Sequence, residues 1–198
     1  MKLALITALL FLAPHADLKQ IKIGDTAPKP DLKMENLDAS STSLGELKMK
    51  NGLCVIFSCN TCPYVIAWED RYNEIAEICK ANEVGFVLVN SNEAKREGAD
   101  SIEEMKAHAK EKGYGDYAYV VDKNHELADA FGATKTPDVF LFDGDFKLVY
   151  KGAIDDNKKD RHMVLKPYLK KAVDAMTRGT KIDPATTKAV GCTIKRVS

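Results

Sequence analysis

Histidine pairs are missing from this chain, and so is a second pair of closely spaced cysteines. The four histidines, His15, His108, His125 and His162, are scattered, none of them three to five residues from another. A structural zinc site needs four ligands, usually two C-x-x-C pairs or one such pair with histidines, so that class is disfavoured. Neither sign of charge is in excess. The 29 basic residues balance 29 acidic ones, with no basic stripe, which argues against a nucleic-acid partner. Internal repeats and low-complexity tracts are lacking as well. A length of 198 residues suits one domain with short additions and a full core.

Against these absences stands Cys59-Asn60-Thr61-Cys62-Pro63. It closes an apolar run, Leu53 to Phe57, and opens an amphipathic pattern. Two thiols three residues apart can close a small disulfide ring. At the start of a helix the first thiol is expected to be exposed and the second turned inward. Unpaired N–H groups and partial positive charge at a helix N-terminus favour thiolate over thiol. Cys59 is therefore expected to be the nucleophile, ionising below the ordinary cysteine value of ~8.5, and Cys62 the resolving thiol. A structural disulfide and a metal site are the alternatives; the strand–CxxC–helix context favours the redox dithiol. Cys54, Cys79 and Cys192 stand alone, and an odd total of five leaves at least one thiol over from any internal pairing.

Leu3–Ala13 is apolar apart from Thr7 and follows Met1-Lys2. It is short for a membrane span and has the length of a signal-peptide core. Residues 1–16 are read as an export signal, with cleavage after Ala16, giving a periplasmic or secreted protein without stable membrane insertion; an uncleaved anchor or a first strand or helix of the fold is the alternative. Such a compartment is oxidising, where a C-x-x-C pair persists as a disulfide unless reduced.

Further along, residues 17–31 are extended and Leu32–Leu47 forms a hairpin around Ser40-Ser41. Leu53–Phe57 reads as a strand buried on both faces. Val65, Trp68, Tyr72, Ile75 and Cys79 recur at spacings of three and four, the inner face of one helix. Val84–Val89 is a second buried strand, and Asn90–Ala99 a polar loop. Ser101 to Glu104 fits a capping box for a helix through about Lys112, on which His108 is solvated. Tyr117–Val121 is a strand, Asn124–Phe131 a short helix stopped by Gly132, and Val139–Phe142 a strand. Asp143-Gly144 turns the chain into Phe146–Tyr150. A terminal helix then starts near Pro167 and runs to about Arg178, with Leu169, Val173 and Met176 inward. Cys54 and Cys79 are inert buried thiols on this pattern. The domain spans 17–178 and a polar tail 179–198.

This order of elements, with the CxxC and with Gly132 to Pro137 before an apolar strand, resembles the thioredoxin fold over Leu53 to Arg178. Phe57-Ser58-Cys59-Asn60-Thr61-Cys62-Pro63-Tyr64 and Gly191-Cys192-Thr193-Ile194-Lys195 are similar to an exported, bacterial, peroxiredoxin-like redoxin group. The resemblance implies an α/β fold with a central mixed sheet flanked by helices, an N-terminal β-hairpin and an inserted strand–helix. It implies a cis peptide at Thr136–Pro137, with Thr136 and Pro137 binding substrate beside Cys59 and Cys62. Thioredoxins carry a buried aspartate six residues before the first cysteine, where Leu53 stands here. Peroxiredoxins carry Pro-x-x-x-Thr-x-x-Cys; aligned on Cys62, those positions are Val55 and Cys59.

The activity expected is thiol–disulfide exchange on protein or small-molecule disulfides and thiols, with an unassigned electron donor, no cofactor and no metal. A thiol peroxidase and a non-enzymatic Cu(I)-binding module built on Cys59, Cys62 and Cys192 are the alternatives. Cys192 is expected either to bond a cysteine at the core edge, to exchange with Cys59–Cys62 as a third redox thiol, or to lie free in a loose tail.

Overall fold

The computed structural model describes residues 18–197, so the export signal expected at 1–16 lies outside the described residues. Strands β1 (Met34–Asn36) and β2 (Ser41–Thr42) form the N-terminal hairpin, and the short helix α1 (Leu44–Leu47) follows. Next come β3 (Gly52–Ser58), α2 (Pro63–Ile66), α3 (Tyr72–Ala81) and β4 (Val84–Asn90). Helix α4 (Ile102–Glu111) leads to β5 (Ala118–Val121), α5 (Glu126–Phe131) and the two-residue β6 (Lys135–Thr136). The chain continues through β7 (Asp138–Asp143), β8 (Leu148–Gly152), α6 (Tyr168–Thr177) and β9 (Cys192–Thr193).

Seven strands form one sheet in the order β2-β1-β5-β4-β3-β7-β8. Pairing is parallel between β3 and β4 and between β4 and β5, and antiparallel elsewhere. This is the mixed, helix-flanked α/β sheet expected of a thioredoxin-like fold. Every residue of β3 and β4 is buried. Alternation along β3 sends Cys54 and Ile56 to one face, against Ile75 and Cys79 of α3 and Leu169 and Val173 of α6. Leu53, Val55 and Phe57 go to the other face, against Leu127 and Phe131 of α5. Each such side chain contributes ~1.5–3 kcal/mol on burial, so two covered faces hold the central strands more firmly than their ladders do. The open C-terminal ends of β3 and β4, paired at Ser58 and Asn90, carry the polar residues that follow.

Several expectations need correction. The helix read from Val65 to Cys79 is broken. Trp68 leaves helical geometry at φ −120°, ψ −10°, and a 3-10 turn over Glu69–Arg71 precedes α3. Two side chains anchor the break: Trp68 Nε1 donates to Asp155 Oδ1 at 2.8 Å, and Arg71 Nε donates to Asp155 Oδ2 at 3.2 Å. Arg71 also donates from Nη1 to the Ala67 carbonyl at 2.9 Å.

The helix expected from Asn124 begins only at Glu126, because Asn124 and His125 adopt left-handed φ of 53° and 50°. Asp122 then caps it, accepting from the Leu127 and Ala128 amides at 2.8 and 2.9 Å. His108 is not solvated: its Nε2 lies 2.8 Å from Glu69 Oε2, and its ring stands edge-on to Tyr114. Met176 faces inward as expected, half-buried and packed against the core cluster of Leu169 and Val173.

Candidate redox site

The CxxC lies where β3 ends. Its loop is held by a buried polar network. The Asn60 amide donates to Asp100 Oδ1 at 2.9 Å, Asn60 Nδ2 to the Ala99 carbonyl at 2.8 Å, and Tyr119 Oη to Asn60 Oδ1 at 2.9 Å. Asp100, fully buried, also accepts from Asn90 Nδ2 at 2.8 Å and Asn92 Nδ2 at 3.0 Å. Beneath the loop, Ser58 Oγ and Tyr72 Oη are 3.1 Å apart. Burial raises the Tyr72 and Tyr119 phenols far above their ordinary value, so both remain protonated donors. Asp100 and the three asparagines were not singled out in the sequence. The available signal was Asn90-Ser91-Asn92, polar residues set against the end of a wholly apolar strand.

The structure brings Cys59, Cys62, Thr136, Pro137 and Cys192 together. Cys59 Sγ is 3.4 Å from Thr136 Oγ1, and Cys62 Sγ is 3.2 Å from the Thr136 carbonyl oxygen. The Thr136–Pro137 peptide is cis, as expected. Cys62 is bonded to Cys192, 130 residues away, with Cα atoms 6.1 Å apart. A bonded sulfur carries no proton, so the Cys62–Thr136 approach is a contact here and becomes an S–H donor only in the dithiol. Cys192 is thus partnered, and residues beyond 179 pack on the domain. The Thr187 amide donates to the Lys151 carbonyl at 3.0 Å, and β9 pairs antiparallel with β6, matching Thr136 to Cys192 and Lys135 to Thr193.

Cys59 departs from expectation in two ways. It is a free thiol only 2% exposed, not an open one. Burial pushes its pKa up rather than down; the Thr136 hydroxyl works against that shift and the charge of Asp100 adds to it. The helix effect is weak because α2 is a four-residue element whose cap is Cys62 itself. Cys54 and Cys79 are the inert buried thiols expected. Contact with Cys79 and full burial hold Cys54 well above the usual thiol range. Among the described residues, no group of three or more His, Cys, Asp or Glu side chains is placed to hold a metal ion, and no helix is long and apolar enough to cross a membrane.

One further buried group adjoins the site in sequence. Asp138, next after Pro137, is 1% exposed, and its Oδ2 has no hydrogen-bond partner among the described residues. Burial raises its pKa to about 7, with Lys151 pulling the other way.

No curated protein sequence matches the chain. Solved structures do. A hypothetical protein from Sinorhizobium meliloti 1021 is 30% identical with a TM-score of 0.81, over 91% of this chain and 97% of that one. An uncharacterized conserved protein from Geobacillus kaustophilus is 31% identical with a TM-score of 0.81, over 89% and 93%. The peroxidoxin BcpB from Mycobacterium tuberculosis, at 16% identity and a TM-score of 0.56 over 81% and 98%, shares the fold. The family model described as Redoxin matches residues 22–166, which span both cysteines of the pair and the Thr136–Pro137 loop. With the thioredoxin-like sheet and the cysteines gathered at its edge, that match shows that the chain belongs to the redoxin family.

Proposed function

We propose that this redoxin is an exported thiol–disulfide oxidoreductase in which Cys59 and Cys62 are the exchanging pair. The observation that carries the reading is the meeting of both sulfurs at one residue: Cys59 Sγ at Thr136 Oγ1 (3.4 Å) and Cys62 Sγ at Thr136 O (3.2 Å). One extended segment lying along Thr136 can then present its sulfur to either cysteine. Cys59 thiolate attacks a substrate disulfide, forming a mixed disulfide and expelling one substrate thiolate. Cys62 thiolate attacks the Cys59 sulfur, releasing the second substrate thiolate and leaving Cys59–Cys62 oxidised. A donor dithiol returns the pair to the reduced state, and the same steps run backwards for an oxidase. Substrates are protein or small-molecule disulfides and thiols; Thr136 and Pro137 position them.

Reduction of insulin by the full chain with dithiothreitol as donor tests this. Cys59→Ser and Cys62→Ser are each expected to lower turnover by about 100-fold or more, as loss of a covalent nucleophile does. Undiminished turnover by Cys59→Ser would overturn the assignment.

The Cys62–Cys192 bond supports a second reading. Cys62 thiolate would attack hydrogen peroxide, forming a sulfenic acid and releasing water. The Cys192 thiol would then displace a second water and leave this disulfide. Peroxide consumption that survives Cys59→Ser but not Cys62→Ser or Cys192→Ser would favour it.

A further inference from the structure

Residues 191–196 lie along Lys135–Thr136, the edge to which the exchange reading above assigns the substrate. Strand β9 occupies the edge of Lys135–Thr136 in antiparallel register, and the Ile194 amide donates to the Thr134 carbonyl at 3.1 Å. On its far side the segment meets the loop after β4: the Lys195 amide donates to Asn92 Oδ1 at 2.8 Å, and the Ala94 amide to the Lys195 carbonyl at 2.9 Å. Its side chains are read individually. A Cβ on Gly191 would fall 2.2 Å from the Thr136 carbonyl oxygen, so only glycine fits there. Ile194 is 3% exposed, inserted in the core cluster with Leu127 and Ala133. Arg196 pairs through Nε with Asp129 Oδ1 at 2.7 Å and through Nη2 with the Ala133 carbonyl at 2.6 Å. Cys192 completes the set by its bond to Cys62.

We infer that this segment is a resident substrate, a tethered strand that occupies the peptide-binding edge while the protein is in its Cys62–Cys192 form. Its contacts define the substrate class: an extended polypeptide of pattern Gly-Cys-x-apolar-x-basic. The inference rests on the exchange activity proposed above and adds the identity and control of its substrate. Cys59 thiolate attacks the Cys62 sulfur; the Cys59–Cys62 bond forms, the Cys62–Cys192 bond breaks, and Cys192 leaves as thiolate and takes up the proton that Cys59 gave up. No electrons are gained or lost. The strand, no longer covalently held, then yields its place. Until that step an incoming segment competes with an intramolecular one present at an effective concentration of about millimolar.

Two measurements on the full chain test this. The first is hydrogen exchange with and without dithiothreitol. Amides of 192–196 are expected to exchange about tenfold faster or more once reduced, while those of β3 and β4 keep their protection. The second uses the reduced Cys192→Ser variant and the peptide Gly-Cys-Thr-Ile-Lys-Arg, supplied as its mixed disulfide with a coloured aromatic thiol. Thiolate attack on the peptide sulfur releases the chromophore. A peptide with Asp in place of Ile is expected to react about tenfold slower or more, the loss of one buried apolar side chain. Equal rates for the two peptides, or unchanged tail protection on reduction, would overturn the inference and leave the exchange activity standing. Insulin turnover retained by Cys59→Ser would instead remove the activity, without touching the exchange result for the tail.

Discussion

Two carboxylates near the site act in opposite ways. Asp100 accepts three hydrogen bonds, from Asn60 in the CxxC loop, Asn90 at the end of β4 and Asn92 just after it. Removing it leaves the Asn60 amide and Asn92 Nδ2 without a partner, and Asn90 Nδ2 with only the Tyr119 hydroxyl at 3.3 Å, at ~1–3 kcal/mol for each unpaired donor. Asp100→Ala is therefore expected to lose several kcal/mol in urea unfolding and to free the Asn60 amide to exchange; a change within the range of ordinary surface substitutions would refute this. Asp138 destabilises the fold once it ionises. Its folded pKa is raised from 3.8 to about 7, first by burial. Below the unfolded value both states hold the proton and the group has no effect. Between about 4 and 7 the folded state keeps the proton and the unfolded state loses it, so stability falls as pH rises and levels off above 7. At 1.36 kcal/mol per pKa unit the full drop is roughly 4 kcal/mol at most. Asp138→Asn is expected to gain on the wild type by a few kcal/mol between pH 4 and pH 8, read by urea denaturation; parallel pH profiles would contradict the assignment. Neither role was legible in sequence, because Asp100 meets residues 60, 90 and 92 only after the sheet has formed.

At the scale of elements, burial decided what could be read in advance. The apolar runs Leu53–Phe57 and Val84–Val89 announced the central strands, and the three-and-four spacing of Ile75 and Cys79 announced the inner face of α3. The break before α3 was not announced. It depends on Asp155, 84 residues beyond Arg71 in the chain, to which Trp68 and Arg71 both donate. Asp155→Ala leaves the Arg71 guanidinium and the Trp68 indole partly unpaired in a buried setting, with an expected loss of about 3 kcal/mol. Calorimetry is the check, and a melting temperature within a degree of wild type would show that the break does not depend on this carboxylate. The cis peptide at Thr136–Pro137 is legible in the Gly132–Pro137 loop through its family resemblance, not through any periodicity. Exposure of Cys59 was misread because the pattern of one segment cannot show what another segment covers.

For the whole molecule, the C-terminal segment decides the state of the cysteine pair. Its polarity and its proline disguised it as a tail, and only Gly191-Cys192-Thr193-Ile194-Lys195 marked it as more. Once packed, it changes the chemistry of the site: it takes Cys62 into a disulfide, lies along Thr136, and leaves Cys59 as the one free thiol of the pair. On the exchange mechanism proposed above, attack by Cys59 would drive both turnover and release of the segment. The direct test is to trap that attack. The full-length double variant Cys62→Ser, Cys192→Ser, left with no second thiol at the site to resolve a mixed disulfide, is incubated with a peptide disulfide, and the adduct is mapped by mass spectrometry. The account predicts the peptide bonded to Cys59. An adduct on another cysteine alone, or none at all, would contradict it.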